Sequence, residues 1–212
     1  MSSLRTFLFR ISVVALYVLT AYTFGVAQSS ALPAKADQVH PLLIGSSLPQ
    51  VTLTTIDDKP VSIQSLINSK PTVVIVYRGG WCPFCNMHLA AVGEAEAEIA
   101  KLGYHIVAIS PDAPSRLQES RTQKKLGYTL VSDARGDFSK QAGIAFQVPK
   151  NYEKLVSESS GGINTDFLPV PSVFIVDSKG VVRFTYVNPD FKHRISKEML
   201  LSVARTLRSE KL

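Results

Sequence analysis

Val73-Val74-Ile75-Val76-Tyr77-Arg78-Gly79-Gly80-Trp81-Cys82-Pro83-Phe84-Cys85-Asn86-Met87-His88 contains both cysteines of the chain. The β-branched run from Val73 to Tyr77 reads as a buried central strand. Gly79-Gly80 turns the chain. Cys82 to Leu102 reads as a long helix, favoured by Ala90, Ala91, Ala95, Ala97 and Ala100 and stopped at Gly103. Pro83 is pre-set for helix entry. Cys82 then falls at the cap or first turn, where unpaired backbone N–H groups favour thiolate over thiol. Cys85 lies about one turn further, within reach of a disulfide. Attack by one thiolate on a disulfide or peroxide leaves a mixed disulfide or a sulfenic acid, and the neighbouring thiol resolves it before overoxidation. Cysteines this close in sequence remove little entropy from the unfolded chain. The pair therefore reads as functional, not as a structural staple.

Working outward, Val51 to Thr54 and Val61 to Ile63 form a hairpin around Asp57-Asp58-Lys59. Ser65 to Ser69 is a short helical turn. Ile106 to Ile109 is a second buried strand, Ser115 to Lys125 a polar-faced helix, Thr129 to Val131 a short strand and Asp137 to Ala142 a helical turn ending at Gly143. Lys150 to Asp166 has no clean period and reads as an inserted loop. Ser172 to Asp177 and Val181 to Val187 form an antiparallel pair across Ser178-Lys179-Gly180. Arg194 to Arg208 is a closing amphipathic helix, with Ile195, Met199, Leu200, Val203 and Leu207 on one face. This order predicts an α/β domain, a mixed central sheet flanked by helices on both faces.

The N-terminus stands apart. Met1 to Arg10 carries Arg5 and Arg10 and no acid, Ile11 to Ala34 carries no charge, and Gly25-Val26-Ala27 offers small residues for cleavage. Residues 1–27 read as a secretory signal peptide, or as an anchor if uncleaved. The expectation is an exported, periplasmic or extracytoplasmic protein, touching membrane only through that segment. Residues 28–43 read as a linker and 44–212 as the domain. At 212 residues, 45% hydrophobic and 19% charged, the chain has room for one such core. Its net charge of +6 loses two arginines with residues 1–27, leaving a mild +4 scattered among acids. That excludes nucleic acid as an expected partner.

Around the thiols, Trp81 is placed to wall one side and Arg78 to steady a thiolate or peroxide oxygen. His88 follows Cys85 by three residues, but no second ligand pair stands at zinc spacing, and Asn86 occupies the position a c-type haem motif gives to histidine. No metal and no cofactor are expected. Asp112 and Asp133, after strands, read as caps of helices or turns.

With these segments in hand, the chain resembles the thioredoxin superfamily and, within it, the peroxiredoxin-like (AhpC/TSA) group. The resemblance spans about Gly45 to Leu207. It is carried by Gly45-Ser-Ser-Leu-Pro-Gln-Val-Thr-Leu, Ile106-Val-Ala-Ile-Ser-Pro-Asp with Leu130-Val-Ser-Asp, Pro171-Ser-Val-Phe-Ile-Val-Asp-Ser-Lys-Gly, and the Tyr77 to Cys85 run. It implies a thioredoxin-like fold, a Cys82/Cys85 redox centre, a hydroperoxide substrate and a thioredoxin-like electron donor. It also implies a cis peptide bond at Pro171, facing the cysteines.

Two features depart from that group. Its pattern P-x-x-x-T/S-x-x-C, laid on Cys85, puts Cys82 at the Thr/Ser position and Arg78 at the proline. Its active-site arginine usually precedes the late strand, where this chain reads Val170-Pro171-Ser172, and Arg78 is the candidate to supply that charge. Exposure at the helix tip favours Cys82 as the attacking thiol, whereas the alignment favours Cys85. Three functions follow: a thiol peroxidase, a TlpA-like reductase of protein disulfides, or a non-catalytic module holding a soft metal.

Overall fold

The computed structural model describes residues 31–67 and 70–210. The leader expected over residues 1–27 lies outside the described residues. The domain runs from Leu32 to Leu212, and its centre is strand β3 (Thr72–Val76), every residue of which is buried. Alternate side chains feed opposite cores, because successive residues of a strand point to opposite faces. Val73, Ile75 and Tyr77 pack with Leu89, Val92 and Leu200 on one side. Val74 and Val76 pack with Ile63, Phe138 and Ile144 on the other. A strand covered on both faces is apolar throughout, which is why the run is continuous and not alternating.

The remaining strands are β1 (Thr52–Thr55), β2 (Pro60–Ser62), β4 (His105–Ser110), β5 (Thr129–Ser132), β6 (Ala145–Gln147), β7 (Phe167–Pro169), β8 (Ser172–Val176) and β9 (Val182–Val187). Seven form one mixed sheet in the order β2-β1-β5-β4-β3-β8-β9, while β6 and β7 pair separately. The β3–β4 and β4–β5 pairs are parallel. Helices α2 (Pro83–Lys101) and α3 (Pro114–Lys124) make those two crossovers. Shorter helices are α1 (Ile63–Ile67), α4 (Asp137–Gln141) and α5 (Glu153–Ser159), and α6 (Lys197–Ser209) closes the fold. The expected mixed sheet flanked by helices is the observed one.

Helix α2 starts with Cys82 as its cap and Pro83 in its first turn. It ends before Gly103, whose φ of 88° only glycine adopts without strain. Cys85, His88, Leu89, Val92, Ala95 and Ile99 form its buried stripe. Helix α6 braces it: the Tyr104 hydroxyl donates to the Ala204 carbonyl at 3.2 Å, and Lys197–Glu94 and Arg205–Glu98 pairs close at 2.6 and 2.7 Å.

Several expectations are corrected. Lys150 to Asp166 is not a plain loop: a 3-10 turn (Lys150–Tyr152) leads into α5. The Ser-Ser-Gly-Gly stretch is then stapled by Asn164, whose side-chain amide donates to Phe167 and whose backbone N–H donates to the Ser160 hydroxyl. Seven residues with one fully buried apolar side chain, Val156, carry too little period to announce a helix. The stretch expected as a linker is, from Leu32 on, bonded to the domain. Gln147 donates to the Pro33 and Leu32 carbonyls at 2.8 and 2.9 Å, and Leu42 N–H donates to Ala142 at 3.2 Å. Helix α6 begins at Lys197, not Arg194, because the Ser196 hydroxyl caps it by accepting from Met199 N–H. The bond to Pro171 is trans, since the described residues contain no cis peptide. Trans is the ordinary isomer even for a bond to proline, cis being found in about 5–6% of such bonds in folded proteins.

Candidate active site

Two glycines and one buried aspartate place the redox loop. The Gly80 N–H donates to Asp112 Oδ2 at 2.6 Å, and the Asn86 side chain donates to the Gly80 carbonyl at 2.8 Å. Gly79 sits at φ 148°, and a Cβ there would lie 2.6 Å from Trp81 Cδ1 and 2.7 Å from Asp112 Oδ1. The turn is thus built for close backbone approach, and it delivers Cys82 to the head of α2.

Both thiols are free and nearly sealed, at 1% and 0% exposure. Cys82 is the acidic one, its pKa lowered to about 6. The main cause is the hydrogen bond from the Cys85 side chain; burial opposes it, and the Cys85 backbone N–H, Arg78 and Arg194 add to the lowering. Cys85 is pushed up, first because its proton is held by Cys82 and then by burial. Near neutral pH the pair therefore holds one proton between two sulfurs, with Cys82 the thiolate and Cys85 the donor.

Arg78 is 3% exposed, an unusual position for an arginine. Its guanidinium lies 4.1 Å from the Phe191 ring centre, 4.6 Å from Tyr152 and 5.1 Å from Trp81. Trp81 packs on Tyr152, and Phe84 meets Phe191 edge-on. A second guanidinium arrives from the segment before α6: Arg194 NH2 donates to Cys85 Sγ at 3.5 Å.

Of the site residues expected from the sequence, Arg78, Trp81, Cys82, Pro83 and Cys85 meet at the β3–α2 junction. Pro171 lies at the same end of the sheet, since Val76 is paired with the next residue, Ser172. Its bond is trans, not the expected cis. Arg194, Tyr152 and Phe191 were not foreseen; they come from segments whose sequence shows no motif. His88 is buried, with its pKa lowered to about 4 by burial and then by Arg194, so it stays neutral. Asp133 caps α4 as expected, accepting from Phe138 and Ser139 N–H at 3.0 and 2.9 Å.

The sequence profile of the AhpC/TSA family matches residues 44–185. The chain belongs to the AhpC/TSA family. It is accordingly a thiol-dependent oxidoreductase of the peroxiredoxin-like group in the thioredoxin superfamily. A Haemophilus influenzae protein named "Putative peroxiredoxin bcp" is 24% identical over 169 residues, 80% of this chain and all of that one. Peroxiredoxin Q of Suaeda salsa chloroplasts is 30% identical over 73% of this chain, which spans 64% of that protein's length. Among solved structures, peroxidoxin BcpB of Mycobacterium tuberculosis superposes with a TM-score of 0.64 at 17% identity, covering 81% of this chain and 98% of that one. Reduced Prx3 of Vibrio vulnificus, in complex with hydrogen peroxide, gives 0.66 at 16% identity, covering 77% and 96%. These two likenesses establish the fold of this AhpC/TSA chain.

The buried groups set a pH dependence of stability. Asp112 and Asp133 are both raised to about 6, burial being the leading cause. An acid whose pKa is higher folded than unfolded stabilises the protein below its unfolded value, and that contribution is lost as pH rises through about 6. His88, lowered to about 4, acts oppositely: its contribution is lost as pH falls from 6.5 toward 4. The share of the two aspartates is therefore expected to grow from pH 6.5 to pH 4.5 by on the order of 2–4 kcal/mol, opposed by His88 and by Cys82, whose thiolate contribution is lost as pH falls through about 6. Urea unfolding checks it: the wild type should gain that much on an Asp112→Asn, Asp133→Asn double variant across this range, and the double variant should itself lose stability as pH falls.

Proposed function

We propose that this chain is an exported thiol peroxidase that reduces hydroperoxides with Cys82 as attacking thiol and Cys85 as resolving thiol. The observation that carries the proposal is the placement of the two sulfurs: Cys82 caps α2 next to Arg78, and Cys85 lies one turn further in, fully buried, with Arg194 on its sulfur. That placement favours the thiolate at Cys82 and the proton at Cys85. Membership of the AhpC/TSA family and the seal around both sulfurs favour a small oxidant over a protein disulfide. Export rests on the uncharged run from Ile11 to Ala34.

In the first step Cys82 sulfur bonds the distal peroxide oxygen and the O–O bond breaks. The leaving alkoxide or hydroxide takes a proton from solvent. Arg78 and Arg194 offset the charge that moves from sulfur to oxygen. In the second step Cys85 sulfur attacks the Cys82 sulfenic acid. The S–S bond forms, the S–O bond breaks, and the hydroxide leaves as water with the Cys85 proton. A thioredoxin-like dithiol then reduces the disulfide. Its access requires the half-buried rings of Trp81, Phe84 and Phe191 to part.

Stopped-flow mixing of the reduced protein with hydrogen peroxide and cumene hydroperoxide tests this. Peroxide should be consumed one for one, and the rate should rise through a single ionisation near pH 6 and stay flat from pH 7 to 8. An unperturbed thiol would keep accelerating past pH 8. Cys85→Ser should stop at a sulfenic acid trapped by a dimedone-type probe. Thiols left reduced by both peroxides, with insulin disulfides readily reduced, would reject the peroxidase in favour of the reductase.

A further inference from the structure

The cation at this site is supplied in excess. Two guanidiniums, the buried Arg78 and the half-buried Arg194, stand beside the thiol pair, and among the described residues neither pairs with a carboxylate. Three rings lie 4.1–5.1 Å from the Arg78 guanidinium carbon; they attract its charge but offer no oxygen to accept its N–H groups, which lie in the guanidinium plane. Two of those in-plane nitrogens, Nε and NH1, are buried without any acceptor, and so is Arg194 Nε. A buried, unpaired donor on a charged group is costly, and native sites that keep one usually have a ligand for it. Oxidation of Cys82 to the sulfenic acid removes the thiolate charge beside these guanidiniums, leaving the Asp112 carboxylate, which is engaged by the Gly80 N–H, so the excess grows during turnover.

We infer that the Arg78 edge, walled by Trp81, Tyr152 and Phe191, is a binding site for the carboxylate of an organic hydroperoxide. This gives the proposed peroxidase a substrate class and rests on that proposal. A planar carboxylate fits the in-plane fork of a guanidinium in a way that a neutral hydroperoxide does not. The aromatic walls suit an apolar body between the carboxylate and the O–O group. All three rings are half-exposed, and Phe191 sits on a segment of exposed neighbours, Asp190, Lys192 and His193. A ligand enters there by displacing a ring and not by opening the core. The reaction is otherwise unchanged: Cys82 sulfur takes the distal oxygen, the O–O bond breaks, and the carboxylated alcohol leaves with a proton from solvent.

Cumene hydroperoxide and its para-carboxylate, alike in their O–O group, give the test on the wild-type reduced protein. The carboxylate should react at least about tenfold faster, the ratio falling toward one in Arg78→Gln. Binding is read separately by the single tryptophan, Trp81, which lies against Arg78. Benzoate should change its emission saturably, whereas the neutral isostere benzamide should not. Equal rates for the two hydroperoxides and no benzoate response overturn the inference while leaving the peroxidase standing. A benzoate response without consumption of any peroxide keeps the anion site and rejects the peroxidase. A benzoate response with equal rates overturns the substrate assignment, since the anion site then does not serve the reaction.

Discussion

Cys82→Ser is expected to abolish peroxide consumption, with a loss of at least about a thousandfold, because a serine hydroxyl provides no thiolate at neutral pH. Cys85 remains in that variant, but it is fully buried and its thiol is disfavoured as an anion by that burial. It should therefore stay unmodified by iodoacetamide at pH 7.5. The companion variant sharpens the point. Cys85→Ala removes the hydrogen bond that is the main cause of the Cys82 lowering. Its remaining thiol should titrate above 6 and react more slowly with peroxide at pH 6.5, with the deficit shrinking at pH 8.5. Cys85→Ser keeps a donor and should fall between the two. If Cys82→Ser still consumes one equivalent of peroxide, the attacking thiol is Cys85, as the alignment with peroxiredoxins suggests.

Gly79→Ala is expected to destabilise the protein by about 2–4 kcal/mol and to slow peroxide reaction by more than that loss explains. The backbone there is at φ 148°, where a Cβ is strained whatever the space around it. The space is also filled: the new carbon would meet the Trp81 ring and lie 2.7 Å from Asp112 Oδ1. Relief requires moving Trp81, which unstacks it from Arg78 and Tyr152, or pushing Asp112 off the Gly80 N–H. Either movement shifts Cys82, two residues beyond Gly80. Urea unfolding reads the stability loss. Thiol titration reads the second effect, which should be a Cys82 pKa moved up toward the ordinary cysteine value. A variant with the wild-type midpoint and wild-type thiol would refute the account of the turn.

The sequence speaks most clearly where the determinants are local. Helix α2 was expected over Cys82 to Leu102 and forms over Pro83–Lys101, because proline entry, alanine content and glycine exit all act within a few residues. The central strands follow from uninterrupted β-branched runs for a similar reason. The Cys82/Cys85 pair and its placement at a helix start were legible in the same way. What surrounds the pair was not. Arg194 reaches Cys85 across 109 residues of chain, and read as the first residue of a helix it offered no sign of that contact. Tyr152 belongs to a stretch whose helix is too short to show a period. Arg78 reads by composition as a surface residue, and only three aromatic rings from separate segments make its burial tolerable. The trans bond at Pro171 shows the opposite error, in which a resemblance supplied a local conformation that this chain does not adopt.

Because the closing segment supplies Arg194 and then α6, the thiols depend on the last residues of the domain. Until these have docked, α2 lacks its brace, and Cys85 lacks its guanidinium neighbour. The cysteines of a chain cut short before Arg194 would differ little from any exposed pair and would be open to oxidation or exchange with passing thiols. Their division into one acidic and one protonated sulfur is a property of the completed domain.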